Sequence, residues 1–216
     1  MPAPEEPQRI HALVALRILE VLRDQDLPGD LMEDENPSRT MPRRFGLSDV
    51  VQRQIRSFQQ EARKGARLTD EQVGDLFRFV IRRPDGRRVF QQVGRSLVEP
   101  GRAPGWVRVL PSVARYGVAR SRVRKRLRRL FGRQLGGFAK GPFIIEGRSL
   151  LFVEHDPGGD ACYLLAGLCE AVLEQVSREP ARVEHTLCQA RGDAVCRWEA
   201  RMIEAAGEET PTARSA

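Results

Sequence analysis

Apolar residues recur at helical spacing through the first half of the chain, separated by polar and charged positions. This periodicity predicts helices over residues 9–23, 48–64, 69–81 and 89–97. Thr69 and Gln72 have the spacing of a capping box at the start of the third helix, and Gly65 is placed to end the second. The first half of the chain is therefore expected to be helical.

Two stretches interrupt this helical pattern. Residues 28–42 combine three prolines with an acidic cluster, which predicts a loop or linker. Residues 99–105 are rich in proline and glycine and predict a second loop. Trp106 follows it and is expected either to line a pocket or, as is more common for tryptophan, to anchor the core.

The pattern changes after Gly136 and Gly137. Residues 142–154 are apolar on both sides of Glu146-Gly147 and predict a β-hairpin. Residues 161–176 have few polar positions and predict a buried helix capped by Asp160, and residues 182–203 predict a second hairpin. Together these elements predict an α+β fold, in which N-terminal helices precede a β-β-α-β-β half with an antiparallel sheet.

Length and composition set the domain organisation. With 216 residues, 41% of them hydrophobic, the chain is long enough to bury a full core. We expect an N-terminal helix and acidic linker over residues 1–42, one domain over 43–204 and a disordered tail over 205–216. The sequence has no apolar run of membrane-spanning length and no signal peptide, which predicts a cytoplasmic protein without a membrane partner.

The formal net charge of +7 is concentrated in residues 120–133, which contain eight basic residues and no acidic one. These are Arg120, Arg122, Arg124, Lys125, Arg126, Arg128, Arg129 and Arg133. Val123, Leu127, Leu130 and Phe131 form an apolar stripe on the same predicted helix. Three interpretations remain open for its basic face: a solvated surface, a dock for an acidic protein surface such as residues 20–35, or a phosphate-binding surface for nucleic acid.

A cluster of cysteines near the C-terminus carries the most specific chemistry. Cys188 and Cys196 are equidistant from the turn at Gly192, so their Cβ atoms are expected about 5 Å apart across an antiparallel pair. His185 precedes Cys188 by three residues, and Cys162 begins the buried helix that packs against this hairpin. These four side chains form a Cys3His set suited to a tetrahedral zinc ion.

Other interpretations of these residues also stay open. Each cysteine alone is a common core residue, and Cys188 and Cys196 could instead form a disulfide. A regular strand would point His185 away from Cys188, so a bulge is needed to bring it round, and Glu184 is the substitute ligand. Cys169 is assigned to the core. Arg191 and Arg197 are candidates to balance the negative charge of three thiolates and zinc.

The spacing of Cys162, His185, Cys188 and Cys196, with Trp198 two residues past the last cysteine, resembles the C-terminal signature of the 4-vinyl reductase domain family. This small-molecule-binding fold is shared by sensory domains of aromatic-responsive bacterial regulators, a bacteriochlorophyll biosynthesis protein and subunits of a vesicle transport particle. The aromatic sensors hold zinc with three cysteines and a carboxylate, so His185 departs from the family at the fourth ligand. The resemblance covers residues 70–203.

The resemblance also implies a pocket for a small apolar ligand, lined by Trp106, Phe131, Phe138, Phe143 and Phe152. The sequence contains no Ser/His/Asp grouping, Walker-type phosphate loop or dinucleotide fingerprint, which favours a non-enzymatic role. We therefore expect a zinc-stabilised sensory or adaptor domain that signals through a partner protein or a homodimer. The alternatives are a ligand-free assembly subunit and a nucleic-acid binder.

Overall fold

Seven helices and six short strands make up the part of the chain that the computed structural model describes, residues 8–26, 49–101, 103–132, 135–141, 143–148 and 151–202. The helices are α1 (Leu13–Asp26), α2 (Asp49–Lys64), α3 (Asp70–Ile81), α4 (Gly86–Ser96), α5 (Ser112–Phe131), α6 (Leu151–His155) and α7 (Tyr163–Ser177). The strands are β1 (Ile10–His11), β2 (Arg67–Leu68), β3 (Gly137–Phe138), β4 (Ile144–Gly147), β5 (Ala181–Leu187) and β6 (Cys196–Met202). Short 3-10 turns lie at Gly105–Val109 and Gln189–Arg191.

The strands form two antiparallel sheets. β1 pairs with β2, and a four-stranded sheet has the order β3-β4-β6-β5. Within it, β4 and β5 both pair with β6, which places the last described strand near the middle of the sheet. The predicted α+β class, with N-terminal helices and a later antiparallel sheet, is confirmed.

Helices α4 and α7 pack against each other at unusually close range. A Cβ atom at Gly94 would collide with the carbonyl oxygen of Leu164, and one at Gly167 would collide with that of Gln91. Glycine at both positions therefore lets the two backbones approach directly. This contact fixes α7, the helix whose first turn borders the cysteine cluster.

Several predicted elements are confirmed within the described residues. The capping box is present, since Thr69 Oγ1 accepts from the Gln72 backbone and the Gln72 side chain accepts from the Thr69 backbone. The predicted second hairpin corresponds to β5 and β6, and α2 ends before Gly65. The predicted loop at 28–42, the tail at 205–216 and Arg133 lie outside the described residues.

Four other predictions are corrected. The hairpin over residues 142–154 is wrong: β4 pairs with β3 and β6, while Leu151–His155 forms α6. Phe152 is buried in this helical turn, stacked on Phe77, and a short apolar run does not distinguish a strand from a buried helical turn.

The predicted helix over 9–23 begins with strand β1 and continues to Asp26 as α1. The basic helix is longer than predicted and begins at Ser112.

The fourth correction concerns Asp160, which does not cap α7 with its side chain. The N-cap position is Cys162, which makes no side-chain capping hydrogen bond. The Asp160 carboxylate instead accepts a hydrogen bond from Arg87 Nε at 3.1 Å. Among the residues that the structure describes, none of the helices combines the length and the apolar character that a membrane span requires.

Candidate metal centre

Three separate segments bring Cys162, His185, Cys188 and Cys196 together in the interior. One candidate ligand atom from each residue, a Cys Sγ or a ring nitrogen of His185, lies within 4.8 Å of all the others. All four residues are buried. Glu184, the substitute ligand considered from the sequence, is not a member of this group. The predicted convergence of three thiols and one imidazole is therefore present in the fold.

The chain between Cys188 and Cys196 is a short folded loop, held by hydrogen bonds on both of its sides. The Cys188 backbone N–H donates to Asp193 Oδ2 at 2.6 Å, and the Cys188 carbonyl accepts from the backbone N–H groups of Arg191 and Asp193. The backbone N–H of Gln189 points at the second cysteine and donates to Cys196 Sγ at 3.4 Å. A backbone N–H directed at sulfur stabilises a thiolate, which is the form that binds a metal.

A register shift after His185 in β5 lets His185 and Cys188 face the same side. The pairing of β5 with β6 is regular up to His185 and Trp198 and becomes irregular between His185 and Leu187. The irregularity expected from strand parity is thus present. The imidazole stacks on Trp198 with ring centroids 5.0 Å apart and meets the edge of Tyr163 at 5.9 Å. These two rings fix the plane of the imidazole.

Both ring nitrogens of His185 are buried and make no hydrogen bond of normal geometry with the described residues, although the ring lies close enough to Cys196 to help lower the pKa of that thiol. Leaving a buried polar atom unpaired costs about 1–3 kcal/mol, so native proteins seldom do so without a reason. The ring lies beside three sulfur atoms, in a group that could hold a metal ion. A metal ion would give one of these nitrogens a partner.

The loop before α7 positions Cys162. The buried Asp156 carboxylate accepts hydrogen bonds from the backbone N–H groups of Gly158 and Ala161, at 2.9 and 2.5 Å. Trp198 Nε1 donates to the Cys162 carbonyl at 3.1 Å. Cys162 is therefore held from both sides, by the Asp156 turn and by the indole that also stacks on His185.

Gly159 places this loop directly against Cys188. Its φ of +80° lies in the left-handed region, and a Cβ atom there would stand 2.6 Å from Cys188 Sγ. Both the backbone conformation and the space therefore require glycine. The backbone of residues 156–161 therefore covers one side of the thiol cluster.

The thiols of the cluster differ in acidity. Cys162 donates a hydrogen bond to Cys196, which lowers the pKa of Cys196 to about 4 and raises the pKa of Cys162 above its ordinary value. One thiolate is thus favoured in the cluster before any metal binds. Cys169, the fourth cysteine, lies outside the group in α7, where burial raises the pKa of its thiol. The assignment of Cys169 to the core agrees with this placement.

The charged residues near the cluster do not take the roles expected of them. Arg197 Nε donates to Glu146 at 2.7 Å, and Arg197 also pairs with Glu199, so its charge is balanced by carboxylates. Arg191 is exposed. The Gln189 backbone N–H is the donor that the structure directs at a sulfur of the cluster.

Four of the five aromatic residues assigned to a ligand pocket pack against other aromatic rings. Phe131 and Phe152 pack edge to face at 5.8 Å, and Phe138 and Phe143 do the same at 5.4 Å. Trp106 is 60% exposed, so the expectation that it anchors the core is wrong. Phe138 borders a cavity of about 20 Å³, which has room for roughly one water molecule.

The cations of the basic helix are partly exposed and partly packed on the domain, where Arg120 donates to the Gly141 carbonyl, and the apolar stripe of the helix is confirmed. Val123, Leu127 and Leu130 are buried against the domain. Arg126 donates to the Leu97 carbonyl and pairs with Glu99 at 2.7 Å, which Arg129 also approaches. Arg122 is half-buried, and Arg124, Lys125 and Arg128 are exposed. Residues 27–35 of the acidic segment considered as a dock lie outside the described residues.

Sequence reasoning missed Asp156, Gly159 and Asp193, which shape the loops around the thiols. These residue types do indicate a turn. Aspartate commonly accepts hydrogen bonds from nearby backbone N–H groups there, and glycine adopts left-handed backbone conformations. The sequence Asp-Pro-Gly-Gly-Asp directly before Ala161-Cys162 predicts such a turn. Which backbone groups each carboxylate accepts from depends on the folded path of the loop.

Comparisons with known proteins leave the interpretation of this site to its geometry. No protein-family model matches the chain, and no curated protein matches it. Function must then be argued from the arrangement of specific side chains. For this chain that arrangement is a buried Cys3His group that could bind a metal ion.

Proposed function

We propose that Cys162, His185, Cys188 and Cys196 bind one structural Zn²⁺ ion in a domain that acts by contact with other proteins, as an adaptor or assembly subunit. The observation that carries the proposal is the buried His185 ring, whose two nitrogens make no hydrogen bond of normal geometry beside three thiols. Cysteine sulfur and imidazole nitrogen are the ligands that zinc prefers in structural sites. Bound zinc would turn an energetically costly buried group into a stabilising one.

The spacing of the ligand atoms suits such an ion. Zinc–sulfur bonds of about 2.3 Å in a tetrahedron place the ligand atoms roughly 3.8 Å apart. The ligand atoms of the cluster already lie within 4.8 Å of one another, so small side-chain rotations bring them to bonding distance. All four cysteines are free thiols, which leaves Cys162, Cys188 and Cys196 available as ligands.

Four protein ligands would complete the coordination of zinc and leave no open position for a substrate. This favours a structural role over a Lewis-acid role. The ligands come from the start of α7, from the end of β5 and from the start of β6. A bound ion would therefore join the buried helix to the hairpin, and its binding energy would contribute directly to folding.

The packing of the aromatic side chains supports an adaptor rather than a small-molecule sensor. Phe131, Phe143 and Phe152, which the family resemblance assigns to a pocket, are buried against other rings of the core. A cavity of about 20 Å³ beside Phe138 is far smaller than a typical ligand site of about 300 Å³ or more. Within the proposed relationship to the 4-vinyl reductase domain family, the assembly subunits are then the better analogy.

Elemental analysis of protein purified without chelator tests the metal. We expect about one zinc per chain, lost in Cys188→Ser and kept in Cys169→Ser, because Cys169 is a buried thiol outside the group. Replacing zinc by Co²⁺ should give thiolate charge-transfer absorption that Cys188→Ser weakens. Well-folded wild-type protein without metal, or equal loss of metal in both variants, would contradict the proposal.

The identity of the fourth ligand is tested by a neighbouring pair of variants. His185→Asn removes the imidazole, while Glu184→Gln removes the charge of the adjacent carboxylate that is not in the group. Loss of one ligand should weaken zinc binding by at least about tenfold in His185→Asn only, as measured by competition with a chromophoric chelator. The opposite order would assign the fourth ligand to Glu184.

A further inference from the structure

The three thiols of the metal centre lie close enough to react with one another. Cys162, Cys188 and Cys196 are free, and their sulfur atoms belong to the group whose members lie within 4.8 Å of one another. Cys162 also donates a hydrogen bond to Cys196, so these two sulfur atoms already face each other. Thiols at this spacing can bind a metal ion or, after losing two electrons, form a disulfide.

Two surface loops border the thiols. The backbone of residues 156–161 lies against Cys188, and Pro157 and Gly158 within it are exposed. The loop that leads from this cysteine to the third one is exposed over residues 191–194. A small oxidant therefore reaches the cluster through local opening of a loop and does not require unfolding of the core.

We propose that the metal centre is a redox switch, in which a hydroperoxide converts Cys162 and Cys196 into a disulfide and releases the zinc ion. Of the four ligands, His185 and Cys188 would remain, and two ligands do not complete the tetrahedral coordination of structural zinc. This inference rests on the proposed zinc site and names how that site would be regulated.

The electrons and atoms of this step balance. The Cys196 thiolate attacks one oxygen of the hydroperoxide, the O–O bond breaks, and the products are a sulfenic acid and hydroxide. The Cys162 thiolate then attacks the sulfenic sulfur, which forms the S–S bond and expels the second oxygen as hydroxide. Two thiolates lose two electrons, the hydroperoxide gains them, and zinc leaves as Zn²⁺ without a change of oxidation state.

The positions of the thiols favour this pair over the two cysteines of the hairpin. Cys162 stands at the start of α7 and Cys196 at the start of β6. The same junction is already held by Trp198, whose Nε1 donates to the Cys162 carbonyl at 3.1 Å. A disulfide at this place would replace the zinc link between α7 and β6, whereas a bond from Cys188 to Cys196 would join the two ends of one short loop.

Oxidation would release the end of β5. His185 and Cys188 lose the ion that held them to α7 and β6, and the buried imidazole loses the partner that the metal supplied. An unpaired buried polar group favours local opening of the chain that carries it. The segment 185–195 therefore differs between the two states, and its exposed loop would present a changed surface to a partner protein.

Peroxide treatment of the full chain, loaded with zinc, tests the switch. Zinc release is followed with a chromophoric chelator, and disulfides are located by mass spectrometry of unreduced peptides. We expect about one zinc released per chain together with one Cys162–Cys196 disulfide, both reversed by a thiol reductant and added zinc. A disulfide between Cys188 and Cys196, a disulfide between chains, or sulfinic acids without a disulfide would overturn the proposal.

Hydrogen exchange tests the predicted change of conformation. Amide exchange over residues 185–195 should become at least about tenfold faster in the oxidised protein, while that of α7 stays the same. Equal exchange of the segment in the two forms would show that the disulfide does not switch the structure, and faster exchange of α7 would show that it does not replace the zinc link.

A matched pair of variants identifies the reacting thiols. Cys162→Asp and Cys188→Asp each replace a thiolate by a carboxylate, which can also bind zinc and keeps the charge of the site. Cys188→Asp retains the proposed pair and should release zinc to peroxide as the wild-type protein does. Cys162→Asp should release it at least about tenfold more slowly. Cys169→Ser is the cysteine control outside the group and should match the wild-type protein.

Equal rates of zinc release in the two aspartate variants would reject the assigned pair, and the peptide map of the wild-type protein decides the pairing independently of both. The results also separate the switch from the metal centre. If well-folded protein contains no zinc but forms the Cys162–Cys196 disulfide, the metal proposal fails and the thiol pair remains. If zinc-loaded protein keeps its metal and its free thiols in peroxide, the switch is rejected and the metal centre is unaffected.

Discussion

The metal centre and helix α5 each concentrate one residue type, but they place it in opposite environments. Three cysteines converge from separate segments into a buried group whose ligand atoms lie within 4.8 Å of one another. The arginines of α5 surround a single helix and are half-buried or exposed. The buried group constrains the chemistry to a small set of ligands, whereas the charges around the helix do not identify what they contact.

Burial explains why an unpartnered atom is informative in one region and not in the other. A buried polar atom without a hydrogen bond costs about 1–3 kcal/mol, so the nitrogens of His185 require an explanation. An exposed guanidinium such as that of Arg124 is solvated, and even a surface ion pair contributes only about 0–1 kcal/mol.

The largest expected effect concerns Glu170, which joins α7 to its neighbours. Its buried carboxylate accepts hydrogen bonds from Gln91 Nε2, from Arg95 Nη1 and from the backbone N–H of Val183. Glu170→Ala would leave the donors of Gln91 and Val183 without this acceptor and remove one of the two carboxylates that pair with Arg95, so we expect a loss of about 3 kcal/mol in the free energy of unfolding, measured with denaturant. If the loss is below about 1 kcal/mol, the contrast between buried and exposed polar groups does not hold here.

Glu174→Ala is the matched control for that measurement. Glu174 lies one helical turn after Glu170 and pairs with the same arginine, Arg95, at 2.6 Å. Its side chain is more exposed, and Arg95 keeps Glu170 as a partner in this variant. We expect a loss of about 0–1 kcal/mol, as for surface ion pairs.

A smaller effect is expected at Gly159, which tests how tightly the loop covers the thiols. A side chain there meets Cys188 Sγ and takes a left-handed backbone conformation. Gly159→Ala should lower the free energy of unfolding by about 1–3 kcal/mol and weaken zinc binding roughly tenfold. Gly192→Ala is the control, because Gly192 has a φ of +96° but open space around its Cβ position.

The two glycine variants separate backbone strain from disturbance of the cluster. Gly192→Ala should cost about 1–2 kcal/mol through its backbone alone and leave zinc affinity unchanged, as measured by chelator competition. If Gly159→Ala also leaves zinc affinity unchanged, the loop of residues 156–161 does not constrain the thiols.

The sequence predicted which residues form the candidate metal centre better than it predicted the loops around them. Cys162, His185, Cys188 and Cys196 are rare residue types at a distinctive spacing, and the turn at Gly192 required two of them to face each other. The bulge at His185 was inferred because a regular strand would have turned that residue away. The contacts of Asp156 and Gly159 depend on the path of a loop, which local residue preferences do not determine.

The fold shows the same limit in its short apolar segments. The helices α1 to α5 follow from periodic patterns that extend over three turns or more. Residues 151–155 are too few to show a period, and their burial against Phe77 decides in favour of α6. Trp106 is exposed although its size favours burial, and no local pattern at that position indicated this outcome.

The smallest expected effect is a pH dependence at His11, where the cations of α5 act on a half-buried group. Burial lowers the pKa of His11 below its ordinary value of 6.5, and the charges of Arg67, Arg129 and Arg126 lower it further. The neutral ring is used in the fold, since Nδ1 accepts a hydrogen bond from the Leu13 backbone at 3.1 Å. Above pH 6.5, His11 is neutral in both the folded and the unfolded chain.

Below that pH the unfolded chain binds a proton that the folded chain resists, so stability is lost as pH falls from 6.5 toward the lowered pKa of the folded state. His11→Asn removes this titration and keeps an acceptor next to Leu13. Between about pH 7.5 and about pH 5.5, the Tm of the wild-type protein should fall further than that of the variant, because the metal centre contributes equally to both. Parallel declines would show that burial and the neighbouring arginines do not lower the pKa of His11 in the folded chain.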